Sequence, residues 1–220
     1  MTRELNKRII TSILLILLLF LMYSYSYIMV LSLIIIAIIV WIEFYELISK
    51  ILRKNSKQEA LKRFLYKSIS LLYLSMLVYY ILSIVSYHSD LKIYLLYSTF
   101  VTILSDIGGL IVGRIVKGKK LSKISPNKTI SGSFGSFVFS LALIPVFFSK
   151  FISHELSELI FITILISLIS QIGDLLISYL KRKANVKDTS DLLPGHGGFL
   201  DRVDGLIFAA PAGVLLFNFI

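Results

Sequence analysis

The chain has 220 residues, of which 56% are hydrophobic and 16% charged, with a formal net charge of +10 and a mean hydropathy of +0.85. This is too apolar for a water-soluble domain with a polar surface, so the composition reads as an integral membrane protein. The absence of cysteine excludes disulfides and thiolate chemistry.

A helix needs about 20 apolar residues to cross the hydrocarbon core. Runs of that kind fall at roughly 9–25, 27–48, 66–88, 91–113, 132–149, 157–180 and 203–220. They predict an all-α polytopic membrane protein with about seven transmembrane helices and no separate soluble domain. The whole of 1–220 is then one membrane-embedded domain, with an N-terminal hairpin and basic loop over 1–65 and the polar motifs in 66–220.

In chain order, the first two runs follow a basic tail (Arg3, Lys7, Arg8). They are too long for a secretory signal and no small-x-small cleavage site follows a short core. The break at "YSYSY", Tyr23 to Tyr27, predicts a tight turn with tyrosines at the interface. The stretch "KILRKNSKQEALKRFLYK", Lys50 to Lys67, reads as an amphipathic surface helix that anchors on lipid and signals topology.

The basic residues alternate in sidedness. They fall in the tail, after the second run (Lys50, Arg53, Lys54, Lys57, Lys62, Arg63, Lys67), after the fourth (Arg114, Lys117, Lys119, Lys120, Lys123, Lys128) and after the sixth (Lys181, Arg182, Lys183, Lys187, Arg202). Only Lys92 and Lys150 of the 23 fall on the other side. The positive-inside rule therefore puts the N-terminus and these loops in the cytoplasm and the C-terminus outside. Such charge suits anionic lipid headgroups, at roughly 1 kcal/mol per residue, or an anionic substrate.

Carboxylates within spans cost about 2.5–3.5 kcal/mol at a helix centre, which makes them functional candidates by default. Glu43 and Glu46 lie near the end of the second run, Asp106 in the second half of the fourth and Asp174 in the second half of the sixth. Asp174, Ser178 and Lys181 share one helix face. Gly108 and Gly109 beside Asp106 permit close approach of another backbone. Asp201 and Asp204, three apart, would share a face if helical. Carboxylates beside lysines and arginines suit Mg²⁺ bound to a polyphosphate, the cations neutralising the remaining charge. The glycines around His196 would let backbone N–H groups approach phosphate oxygens. Ion pairs that merely hold helices together explain any one aspartate, and a lone histidine is often structural, but a set gathered on one side argues for a site.

The stretch "SYLKRKANVKDTSDLLPGHGGFLDRVD", Ser178 to Asp204, resembles the long signature of the phosphatidate cytidylyltransferase (CDP-diacylglycerol synthase) family. Its fixed positions are filled by Ser178, Lys181, Arg182, Lys187, Asp188, Pro194, His196, Gly197, Gly198, Asp201, Arg202 and Asp204. Upstream, "SDIGGLIVGRIVKGKKLSKISPNKTISGSFG" is similar to a second stretch of the family, with Asp106, Gly109, Gly113, Arg114, Leu121, Ser122, Ser125, Pro126, Lys128, Thr129 and Gly132 in place. "WIEFYEL" around Glu43 is like the end of the family's early hairpin. Ser131 stands where the family has a glutamate, and Asn127 where a lysine is common. The chain carries fewer spans than the family usually has, which implies that early spans are trimmed.

The resemblance implies cytidylyl transfer from CTP to phosphatidate, giving CDP-diacylglycerol and pyrophosphate at the cytoplasmic face of the cell (inner) membrane. It implies Mg²⁺ on Asp174, Asp201 and Asp204, with Asp106 as a further candidate and a second cation compatible with the set. Lys181, Arg182, Lys187 and Arg202 would hold the triphosphate and the leaving pyrophosphate, with Asp188 in the same catalytic segment. Arg114, Ser125, Lys128, Thr129, Gly197 and Gly198 would bind CTP or the lipid headgroup, and His196 would donate to a phosphate oxygen or orient an aspartate. The partners implied are CTP, phosphatidate and membrane lipids, with no nucleic acid, and a homodimer is typical of the family. The alternatives are a related CTP-dependent enzyme, such as a CDP-archaeol synthase or polyprenol kinase, and a transporter, which would carry charges near mid-membrane and on both sides.

Overall fold

A computed structural model describes residues 3–52, 56–88, 91–122, 125, 127–151 and 154–219. Arg53, Lys54, Lys123 and Pro126, named above, lie outside the described residues. The helices are α1 (Arg3–Ser24), α2 (Ser26–Ile51), α3 (Lys57–Tyr87), α4 (Lys92–Val116), α5 (Ile130–Leu141), α6 (Ile144–Phe147), α7 (Leu156–Lys183), α8 (Leu200–Val203) and α9 (Leu206–Phe219). No strand is formed among the described residues, so the protein is all-α. Among the described residues, five segments are long and apolar enough to cross a membrane: α2, α3, α4, the stretch Ile130–Lys150, and α7. The apolar part of α1, Ile9–Met22, and the 14-residue α9 are shorter.

Departures from the expected runs have local causes. Lys57 to Tyr87 contains no glycine or proline, so the expected surface helix continues into the third run as one 31-residue α3. The fifth run breaks after Leu141 because Pro145, at the start of α6, has no N–H to give and its ring clashes with the preceding turn. The break at Tyr25 falls where expected, with this residue extended (φ −130°, ψ 112°) between α1 and α2. Asp201 and Asp204 do not share one helix face. A turn at Asp204 and Gly205 separates α8 from α9, and a Cβ on Gly205 would stand 2.5 Å from Ser170 Oγ.

The chain forms two compact units. The first joins residues up to Leu82 with Leu180–Val203, so all but the ends of the C-terminal signature segment belongs with the early helices. The second comprises Ser83–Tyr179 with Asp204–Ile220.

The second unit holds a buried core of Tyr97, Val101, Leu159, Ile162 and Ile166 with Phe151 and Phe217. Tyr97 Oη lies 2.6 Å from Thr163 Oγ1, and Ser105 Oγ 2.9 Å from Ser167 Oγ, so these four buried hydroxyls satisfy one another in pairs. Small residues let α4 and α5 touch along their backbones: a Cβ on Gly108 would stand 2.5 Å from Gly135 O, and one on Gly132 2.8 Å from Gly109 O. The expected close approach at Gly108 and Gly109 is therefore made by α5.

Candidate active site

The signature segment in the first unit starts at the end of α7. Val186 N donates to Lys181 O at 3.0 Å, and Arg182 Nη1 reaches Val186 O at 3.4 Å, which turns the chain out of the helix. Residues 193–197 then form a tight turn: Leu193 N donates to Gly197 O at 2.8 Å and His196 N to Leu193 O at 2.8 Å. Gly195 (φ 79°) and Gly197 (φ 86°) are in the left-handed region, where a side chain is costly.

Two carboxylates fix this segment from inside. Asp201 Oδ1 accepts from Lys181 Nζ at 2.5 Å. Its Oδ2 accepts from Thr189 N at 2.8 Å, Thr189 Oγ1 at 3.0 Å and Gly198 N at 3.0 Å. Burial pushes the Asp201 carboxyl upward, but the hydrogen bonds from Lys181, Thr189 and Gly198, with the charge of Lys181, outweigh it and hold the carboxyl below its ordinary value.

Glu43 of α2, 3% exposed, does the same from a distant part of the chain. Its Oε1 accepts from Ser190 Oγ at 2.6 Å and Phe199 N at 3.0 Å, and its Oε2 from Thr189 Oγ1 at 2.8 Å and Leu200 N at 2.8 Å. Two of these donors are backbone N–H groups at the start of α8 that no helical partner can satisfy. Glu43 thus ties both ends of the 189–200 loop to α2. Its position in the sequence marks it as a costly carboxylate but assigns it no task. A Cβ on Gly198 would stand 2.0 Å from Thr189 Oγ1 and 2.4 Å from Glu43 Oε2. The room freed by this glycine is filled by the protein, in contrast to the expected phosphate cradle.

His196 points one ring nitrogen at α1, with Nε2 3.3 Å from Ser12 Oγ, while Thr11 Oγ1 donates to Pro194 O at 3.0 Å. His196 Nδ1 is buried and has no hydrogen-bond partner among the described residues. Arg202 turns back over the loop, donating from Nε to His196 O at 3.1 Å and also from Nη2. Lys187 and Asp188 are exposed.

In the second unit, Asp174 of α7 accepts from Lys128 in an ion pair and from Ser178 Oγ at 3.3 Å. Lys128 is presented by a short hairpin in which Leu121 N donates to Lys128 O at 2.8 Å and Ile130 N to Lys119 O at 3.0 Å. Thr129 closes it by capping α5, its Oγ1 accepting from Gly132 N at 3.0 Å. Ser131 donates to Lys117 O, so the hydroxyl that replaces the family glutamate serves the end of α4. Asp204 is 9% exposed, and its Oδ1 accepts from Gly205 N at 2.9 Å.

Gly173 brings α7 onto the start of α9: a Cβ there would stand 2.8 Å from Asp204 O. Asp174 and Asp204 are thereby set on adjoining backbone. Asp106 and Arg114 are exposed on α4, and Ser125 is half-buried. Among the described residues, no three acidic or histidine side chains converge as a ready-made metal cluster. Asp174 and Asp204 are nonetheless hard oxygen donors of the kind Mg²⁺ takes, and a metal ion on Asp174 would compete with Lys128 for its carboxylate.

The sequence profile of the cytidylyltransferase family matches residues 1–220. The phosphatidate cytidylyltransferase of Staphylococcus haemolyticus is 43% identical over 126 residues, 56% of this chain and 48% of that protein. That of Bacillus subtilis is 36% identical over 146 residues, 66% of this chain and 54% of the relative. That of Staphylococcus aureus is 40% identical over 121 residues, 54% of this chain and 46% of the relative. The aligned segments thus take in about half the length of these relatives, and the chain spans only that part of them.

Proposed function

Since the chain belongs to the cytidylyltransferase family, we propose that it transfers the cytidylyl group of CTP to phosphatidate, giving CDP-diacylglycerol and pyrophosphate. A phosphate oxygen of phosphatidate attacks the α-phosphorus of CTP, the new P–O–P bond forms, and the bond to the β-phosphate breaks as pyrophosphate leaves. The nucleophile is already an anion, so the protein has no proton to remove. Its work is to bring two anions together and to stabilise the leaving charge.

The observation that carries this reading is the signature loop held by Glu43 and Asp201 in a polytopic membrane protein, which fixes cationic side chains at set positions. Lys181 is oriented by Asp201, while Arg182, Lys187 and Arg202 are exposed on or beside the loop to take phosphate oxygens. Asp188 stands next to Lys187 in the same stretch and would orient it. His196 keeps Nδ1 for a phosphate oxygen, since Nε2 faces Ser12. Lys128, Ser125, Thr129 and Arg114 would bind the nucleotide or headgroup phosphate, with Gly197 giving the loop its turn.

Asp174 and Asp204 would hold Mg²⁺, with Asp106 as a further oxygen donor. Asp201, whose two oxygens accept from four donors, would join them only by releasing one. Bound Mg²⁺ would supply charge neutralisation for the polyphosphate, and a second cation would extend it. The basic loops support a cytoplasmic active site in the cell membrane, where CTP is found, and the family resemblance supports a homodimer.

The test is direct. Purified protein in detergent is given CTP labelled at the α-phosphate and phosphatidate; label should enter the organic-extractable lipid with one pyrophosphate released per lipid formed. Release of CMP without labelled lipid, or preference for a polyprenol or archaeol acceptor in a substrate panel, would overturn it.

A further inference from the structure

Within the first unit, α2 and α3 enclose a groove that the cytidylyl-transfer chemistry does not use. At the end nearer the connection between them it opens into a cavity of about 480 Å³ lined by Trp41, Tyr45, Ser49, Arg63, Phe64 and Lys67. It continues along the same two helices as a cavity of about 360 Å³ lined by Ile34, Ile38, Leu74, Val78 and Leu82. Trp41 and Leu71 line both, so the two adjoin, and together they make one amphipathic groove, here called the channel. The spacing explains it: Ile34, Ile38, Trp41, Tyr45 and Ser49 form one stripe on α2, which turns from apolar to polar toward the loop.

Lys67 is the decisive residue. It is only 8% exposed, and its ammonium sits 2.6 Å from Ser49 Oγ and 3.0 Å from the centroid of the Tyr45 ring. A hydroxyl and a ring face stabilise an ammonium but do not neutralise it. No carboxylate pairs with Lys67 or with Arg63 among the described residues. A buried cation without a counter-ion is costly, and an anion entering the cavity would remove that cost.

We infer that this channel binds an anionic glycerophospholipid, its phosphate between Lys67 and Arg63 and an acyl chain along the apolar part. Both helices are long and apolar enough to cross a membrane, so the channel opens where such lipids are. The charge gradient matches the ligand end for end: cations and a hydroxyl at the loop end, hydrocarbon beyond. The site stands apart from the cytidylyl-transfer reading, because binding needs no CTP.

Trp41 is the only tryptophan in the chain and lines both cavities, so its fluorescence responds to a ligand seated there. Full-length protein in detergent is titrated with phosphatidylglycerol or phosphatidate brominated on the acyl chains, and separately with brominated phosphatidylcholine. The anionic lipids should quench Trp41 at about a tenfold lower mole fraction, and Lys67→Met, which keeps the apolar stem, should erase the difference. Arg63→Gln, at a half-buried position, should reduce it and serves as a second variant should Lys67→Met fold poorly. Equal quenching by all the lipids, or an anionic preference untouched by both substitutions, overturns the proposal. So does reversal of the quenching by millimolar inorganic phosphate at constant ionic strength, since that would reveal a free oxyanion site.

Discussion

Asp201 and Asp174 each hold a lysine ammonium, yet they differ in what they have left to give. A carboxylate offers about four acceptor positions. Asp201 fills three with Lys181 and the N–H groups of Thr189 and Gly198 and shares the single Thr189 hydroxyl proton with Glu43, and its side chain is 4% exposed. Asp174 accepts from Lys128 and Ser178, and its side chain is 27% exposed. The same residue type thus serves as a closed fastener in the first unit and as an open acceptor in the second. Proximity to a lysine does not distinguish the two; the number of other donors does.

Breaking the fastener should have the largest effect. Asp201→Asn leaves Lys181 without its counter-ion and turns an amide donor toward backbone N–H groups, so CTP-dependent product formation should be abolished while membrane insertion is retained. Amide exchange over 187–200 should quicken in the same protein; undiminished turnover would remove Asp201 from the site. Asp174→Asn should lower turnover by about 10²-fold or more with no change in that exchange. If turnover survives and thermal stability falls instead, Asp174 is an ion-pair staple and the contrast fails.

Glu43→Ala should come next, through loop order alone. Each unmade buried donor costs about 1–3 kcal/mol, and the two N–H groups at the start of α8 cannot turn to new partners as the hydroxyls can, so the loss should be on the order of 3 kcal/mol. Denaturant titration followed by exchange over 189–200 measures it, and Glu43→Gln should recover part of the loss.

The pH dependence is smaller. The Asp201 carboxyl lies below its ordinary value of about 3.9 in the folded protein. Its contribution to stability is therefore full above that value and is lost as pH falls through the lower folded value. Exchange over 189–198, corrected for its intrinsic rate, should be flat from about pH 5 to 8; a change centred within that range would mean another group orders the loop. Ser178→Ala is the mildest test, removing one neutral donor from Asp174 at about 1 kcal/mol.

The apolar runs and their charged punctuation were legible because membrane insertion imposes a length and an exclusion of charge that sequence records directly. The break at Tyr25 and the glycine contact of α4 with α5 were legible for similar reasons, since an interfacial tyrosine cluster and a Gly-Gly pair have few other uses. The partners of Glu43 were not. Nothing local to "WIEFYEL" states that a carboxylate will be met by Thr189, Ser190, Phe199 and Leu200. Nor could spacing reveal that Gly198 makes room for Glu43 and Thr189, or that Asp204 stands in a turn beyond α8. Those facts depend on which distant segment fills a space, and a single sequence shows only that the space exists.

The long reach of Glu43 also has a temporal side. Thr189 follows it by 146 residues, which at 5–20 residues per second takes on the order of ten seconds to synthesise. Through that interval α2 exists while all four donors to its carboxylate are still unmade. The nascent helix must therefore keep Glu43 hydrated or screened by another factor until residues 189–200 emerge. Assembly of the loop is thus the event that finally seats α2, and chains truncated before Leu200 should be recognised by membrane quality control as unfinished.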